Sequence, residues 1–215
     1  MDNMSKKQNN NDNAKMDIEK LTEVLSNILS EKIPLKENIS TSDMLELKRA
    51  LNPVNNFITK ELTDEFIKNL EKIYANTPGA LPDELKNTNK LLNDNADVNV
   101  NANGYDFFNF PIIAEVKANI PYEKNKYGAS QKSGLTKDIN GLLDAKEKGV
   151  DLKDYYKFLV ILDYERNDYK SSDAVEELKK SYEKKHNLND KLVILDISKP
   201  VKLDKDHIYI VKLKL

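Results

Sequence analysis

The 215-residue sequence predicts an α/β fold, a mixed central sheet flanked by helices with a helical amino-terminal extension. Short apolar runs rich in β-branched residues lie at 112–116, 156–162 and 191–197, the pattern of strands buried on both faces of a sheet. Segments with apolar residues at helical spacing, 131–148 and 173–186, separate these runs. Strand, helix and strand in succession imply a right-handed crossover onto one sheet.

Composition narrows the class. The chain has no cysteine, which rules out disulfides, thiolate metal sites and cysteine nucleophiles and fits a reducing cytosol. Two histidines far apart in sequence argue against a His-based zinc site. No apolar stretch is long enough to cross a membrane, and the first residues, MDNMSKKQNNNDN, lack the apolar centre of a signal peptide, so a soluble, cytoplasmic protein is expected. Net charge is −2 with 33% charged residues, which speaks against a non-specific DNA coat protein. A sequence-specific enzyme with a locally positive cleft stays compatible.

Taken in order, residues 1–15 are polar and Asn-rich, with too little apolar surface to offset ordering entropy, and read as a disordered tail. Ile18, Leu21, Val24, Leu25, Ile28 and Leu29 then mark an amphipathic helix that Ile33-Pro34 ends. Ser42 or Asp43 caps a short helix running to Leu51, which Asn52-Pro53 breaks. A longer helix over 54–74 turns Phe57, Ile58, Leu62, Phe66, Leu70 and Ile73 inward. Pro82-Asp83-Glu84 fits the first turn of a helix ending near Asn93, and 93–104 reads as an exposed strand or a loop. The expected division is a tail at 1–15, a helical region at 16–95 and a sheet core at 96–215, the last two packed as one unit.

Asn109-Phe110-Pro111 is a turn between residues 105–108 and the first apolar strand. After that strand, 122–130 is a polar loop with Lys124 and Lys126, either a place for a phosphate backbone or an ordinary surface loop. The helix over 131–148 buries Leu135, Ile139, Leu142, Leu143 and Ala145 and stops at Gly149. Gln131, Lys132 and Lys137 lie near its start, where backbone N–H groups favour anions. Asp163 follows the strand at 156–162 as a turn residue, and His186 closes the helix at 173–186, where a cation is favoured. Residues 208–215 alternate Lys with apolar residues as an exposed or edge strand does, and His207 before them reads as a surface histidine.

The first strand carries the chemistry. Glu115 and Lys117 sit inside it, and side-chain alternation puts both on one face with Val116 on the other. Charges in a buried strand persist only when paired, bound to metal or used in a reaction. The hairpin brings Asp106 toward Glu115, so two carboxylates and a lysine converge. Such a pair favours a hard divalent cation such as Mg2+, and a neighbouring lysine can orient a water or stabilise charge on a phosphate.

Asp106, then Glu115-x-Lys117 after a short hairpin, then a helix and a further apolar strand, resembles the PD-(D/E)XK nuclease superfamily, which includes restriction endonucleases. The resemblance covers roughly residues 99–198. It implies a restriction-endonuclease-like fold and a Mg2+-dependent type II restriction endonuclease, cutting double-stranded DNA at a specific sequence. Asp106, Glu115 and the backbone carbonyl of Val116 would hold the metal, Lys117 would activate or orient water, and Asn119, Gln131, Lys132 and Lys137 would contact DNA. It also implies that a helix before the hairpin lends a glutamate, here Glu61, Glu65 or Glu71, and that palindromic sites are cut by a homodimer, with the helical region serving recognition or dimerisation. Tyr105 stands where many members have proline, and the short spacing from Asp106 to Glu115 leaves Asp97 as a second candidate for the first carboxylate. The alternatives are a structure-directed repair or junction nuclease of the same fold, a non-catalytic DNA- or protein-binding module, and a mere ion pair between Glu115 and Lys117 on an edge strand.

Overall fold

A computed structural model describes residues 41–75, 85, 87–97, 104–121, 125–145, 151–166, 169–188, 190–199 and 201–215. The expected tail at 1–15, the helix following it and the segment at 98–103 lie outside these residues. The chain divides into two compact units, Met1–Leu51 and Asn52–Leu215. Of the first, residues 41–51 are described and are helical. The second holds the sheet and everything that follows.

Helix α1 spans Thr41–Tyr74 without interruption. The break expected at Asn52-Pro53 does not occur. Proline removes one backbone donor and crowds the preceding turn, a cost that a long helix with intact turns on either side can carry. From Leu62 onward α1 buries Leu62, Phe66, Ile67, Leu70, Ile73 and Tyr74. Phe57, expected to point inward, is 63% exposed, and Ile58 is half-buried. Helix α2 spans Thr88–Asp97, past the end expected near Asn93; the helix start expected at Pro82-Asp83-Glu84 lies outside the described residues, and Leu85 after it is helical.

The sheet begins with a hairpin, β1 at Phe107–Asn109 and β2 at Ile112–Lys117, paired antiparallel with Phe107 opposite Ala114. Helix α3, Ala129–Asp144, crosses to β3 at Tyr156–Leu162, which pairs parallel with β2. A two-stranded ribbon that no sequence signal marked, β4 at Glu165–Arg166 and β5 at Tyr169–Lys170, leads into α4 at Ser171–His186. Strands β6, Leu192–Leu195, and β7, Ile208–Leu213, complete a five-stranded mixed sheet in the order β1-β2-β3-β7-β6.

Strand β7 corrects the edge assignment of 208–215. It inserts between β3 and β6 and pairs parallel with both, with Ile208, Tyr209, Ile210 and Val211 buried. The lysine alternation touches only its last turns: Lys212 reaches the carboxyl end of the sheet and its Nζ donates to Ser172 Oγ at 2.9 Å. The edge position falls to the shorter β6, whose Val193 and Ile194 are half-buried.

The two faces of the sheet bury separate cores. One packs Ile112, Ala114, Val116, Phe158, Val160 and Val211 against α1, with the Phe66 ring 6.0 Å from Phe107 and 5.2 Å from Phe158. The other packs Ile113, Leu159, Ile161 and Ile210 against Leu135, Ile139 and Leu142 of α3 and Val175 and Leu178 of α4. Among the described residues no helix is long and apolar enough to cross a membrane.

Gly134 sits inside α3 with nothing within 4 Å of where a Cβ would lie. Glycine in a helix interior costs about 1 kcal/mol against alanine through backbone entropy. Gly134→Ala is therefore expected to raise unfolding stability by about 0.5–1 kcal/mol, read from the urea midpoint.

Candidate active site

The hairpin register builds the site. One step beyond the Phe107–Ala114 pair, Asp106 comes opposite Glu115, so both carboxylates share the face that Lys117 also occupies. Asp106 is held from both sides. Tyr105 before it is buried and donates its hydroxyl to the Gly141 carbonyl at 2.8 Å, which ties the hairpin to α3. Asp106 Oδ2 itself accepts from the backbone N–H of Val116 at 2.8 Å, taking the ladder position past the end of β1.

Lys117 is the centre of the cluster. Its Nζ lies 2.8 Å from Glu115 Oε2, 3.1 Å from Asp106 Oδ2 and 3.4 Å from Asp138 Oδ2. Glu115 is only 1% exposed, whereas the Lys117 side chain is half-buried. Burial works to lower the lysine pKa, but the charges of Asp106, Glu115 and Asp138, together with the Glu115 hydrogen bond, outweigh it and hold the group well above its ordinary value. Lys117 is thus an ammonium in this state. It can donate hydrogen bonds and balance negative charge, but it does not take up a proton.

A cleft of about 730 Å³ opens above the cluster. Its floor is Asp106, Val116 and Lys117, and one wall is the segment after β2, with Asn119 and Ile120. Gln131 lines it too, though both ends of its side chain are engaged: Nε2 donates to the Ile120 carbonyl at 2.8 Å and Oε1 accepts from the Gly128 N–H at 3.0 Å. Gln131 braces the loop and caps α3.

The other wall is α1. Asn55, Asn56, Thr59, Lys60 and Thr63 line the cleft from residues spaced by three and four, hence from one helix face. Lys60 is joined to Asp64 at 2.6 Å.

Other expected residues fall elsewhere. Lys132 pairs with Glu177 of α4 at 2.9 Å, and Lys137 is exposed; neither lines the cleft. Each step along a helix turns about 100°, so one or six residues past Gln131 leads to a different face. Glu61, Glu65 and Glu71 also stay outside it: Glu65 accepts from Asn69 Nδ2 at 2.9 Å, and Glu71 is exposed. Asp97 ends α2, and its side chain lies outside the described residues; Asp106 is one of the carboxylates at Lys117.

Two contributors escaped the sequence reading. The apolar stripe of α1, followed back from Phe66 and Leu62, continues as Thr59, Asn56 and Asn55, a change from apolar to polar along one face that marks where the helix leaves the core. Asp138 had no such mark. It flanks the buried Ile139 on α3 and reads as a solvated charge until the tertiary contact is seen.

The donor set bears on a metal. Among the described residues no group of three or more carboxylate or imidazole side chains is arranged to hold an ion. Mg2+ takes one or two carboxylates and completes its shell with water and substrate phosphate, and Asp106 and Glu115 are two carboxylates drawn together at Lys117 Nζ. The Val116 N–H is committed to Asp106. Comparison with family models, with curated proteins and with solved structures finds no match.

Removing one partner from a buried ion pair leaves an uncompensated charge and costs about 3–5 kcal/mol. Lys117→Met is expected to destabilise the fold on that scale, and adding Glu115→Gln to recover much of the loss, as measured by urea unfolding. The folded lysine titrates above the ordinary 10.5, so its stabilisation is complete below that pH and is lost as pH rises through the folded value. Above pH 10.5 the wild type should accordingly lose stability faster than Lys117→Met.

Proposed function

We propose that this chain is a divalent-metal-dependent endonuclease acting on double-stranded DNA in the cytoplasm, of the type II restriction kind. The observation that carries the reading is the convergence of Asp106 and the buried Glu115 on Lys117, with Asp106 and Lys117 lining an open polar cleft. Burying Glu115 at 1% exposure gains little stability for a protein, since apolar side chains of similar volume do as well or better in such a place. A chemical role accounts for it.

Hydrolysis of a phosphodiester forms a bond from a water oxygen to phosphorus and breaks one phosphorus–oxygen ester bond; the water gives up a proton to solvent, and the departing oxygen takes one up. Asp106 and Glu115 would hold Mg2+, which supplies Lewis-acid charge at the phosphate. The Lys117 ammonium, kept protonated by its carboxylates, would donate to a non-bridging phosphate oxygen as negative charge develops there. Asp106, fixed by the Val116 N–H, holds the lysine in line.

Charge favours a sequence-directed enzyme over a structure-directed one. Among the described residues the lysines that line the cleft, Lys60 and Lys117, are both paired with the chain's own carboxylates, and the net charge of −2 offers no general attraction to a polyanion. Affinity then has to come from specific contacts. A palindromic target cut on both strands further implies a two-fold homodimer.

The test is digestion of unmethylated plasmid and phage DNA with Mg2+, beside Asp106→Asn, Lys117→Ala and a chelator control. Discrete fragments that vanish in all three controls are expected. A smear lost in the same controls would replace this reading with a repair or junction nuclease. No cleavage of duplex, branched or single-stranded DNA would point to a non-catalytic binding module.

A further inference from the structure

The wall of the cleft formed by α1 carries a chemistry that the hydrolytic cluster does not use. Asn55 and Asn56 are exposed on the cleft side, one turn ahead of Thr59. Asparagine is among the weaker helix formers because its side chain competes for backbone hydrogen bonds, so two in succession inside a 34-residue helix work against the local structure. Elsewhere in α1 an asparagine has a structural use: Asn69 is buried and its Nδ2 donates to the Glu65 carbonyl at 2.9 Å. Among the described residues no hydrogen bond holds the Asn55 or Asn56 side chain, and both residues line the cleft.

The residue types also select the ligand group. Phosphates are bound by cations, yet the cations that line this cleft among the described residues are tied to Asp64 and to the carboxylates around Lys117. A carboxamide presents a donor beside an acceptor, the complement of adenine N7 and N6–H2 in the major groove, and that groove is wide enough for a helix. Hydroxyls such as Thr59 accept or donate beside either base, and a methyl packs on thymine. We propose that the Asn55, Asn56 and Thr59 face of α1 reads base edges of the duplex and makes an A·T pair part of the target. This rests on the nuclease reading and adds the substrate class to it.

The experiment cuts a library of randomised duplexes with wild type, Asn55→Ala/Asn56→Ala and Thr59→Ala in Mg2+, and sequences the ends. Wild-type ends are expected to share a motif containing A·T pairs, and the double variant to lose discrimination at one or more of these by about 5- to 150-fold, the range of a bidentate amide contact. Because these side chains are exposed or half-buried, the unfolding midpoint should stay near wild type, which separates lost reading from lost folding. A motif unchanged in the double variant, or one without any A·T requirement, overturns this inference while leaving the nuclease reading intact. Cleavage without a motif overturns it as well and replaces the sequence-specific reading with a structure-directed nuclease. A library left uncut by wild type removes the nuclease reading, and this one with it.

Discussion

One ammonium among three carboxylates organises this site. Glu115 is buried in a strand flanked by apolar neighbours, where a bare carboxylate is not tolerated, so Lys117 two residues on must fold back over it. Asp106 and Asp138 then complete the cluster from β1 and α3, which couples the hairpin, the central strand and the crossover helix through a single side chain.

The sheet places this cluster where ligands can reach it. Strands β2, β3, β7 and β6 run parallel, and Lys117, Lys212 and the start of α4 lie toward their carboxyl ends, the region where open α/β sheets bind ligands. On one face the apolar half of α1 is seated by Phe66 against Phe107 and Phe158. The polar half of the same stripe then stands over Lys117 rather than over the core. On the other face, Gln131 pins the loop after β2, so the opposite wall of the cleft is shaped by two hydrogen bonds.

Much of this was legible from pattern. The buried strands at β2 and β3, the helices α3 and α4 and the hairpin turn follow from local period, length and turn residues, because each such signal is carried by neighbours in sequence. The meeting of Asp106, Glu115 and Lys117 was legible too, since a two-strand hairpin has few registers that bury its apolar face. Pro53 misled, because proline disfavours helix locally without forbidding it. The lysines of β7 misled as well: Lys212 marks the solvent-facing end of a central strand rather than an edge.

The amino-acid sequence by itself determined the α/β class, the places of most strands and helices and the pairing of a carboxylate with a lysine on one strand face, since these depend on alternation and helical period within short windows. Only the tertiary structure decided that β7 lies between β3 and β6, that Asp138 joins Lys117 while Lys132 turns to Glu177, and that Asn55, Asn56 and Thr59 wall the cleft. The reason is physical. Strand order and inter-element contacts are set by how whole faces pack, and no local period records which distant face a side chain will meet.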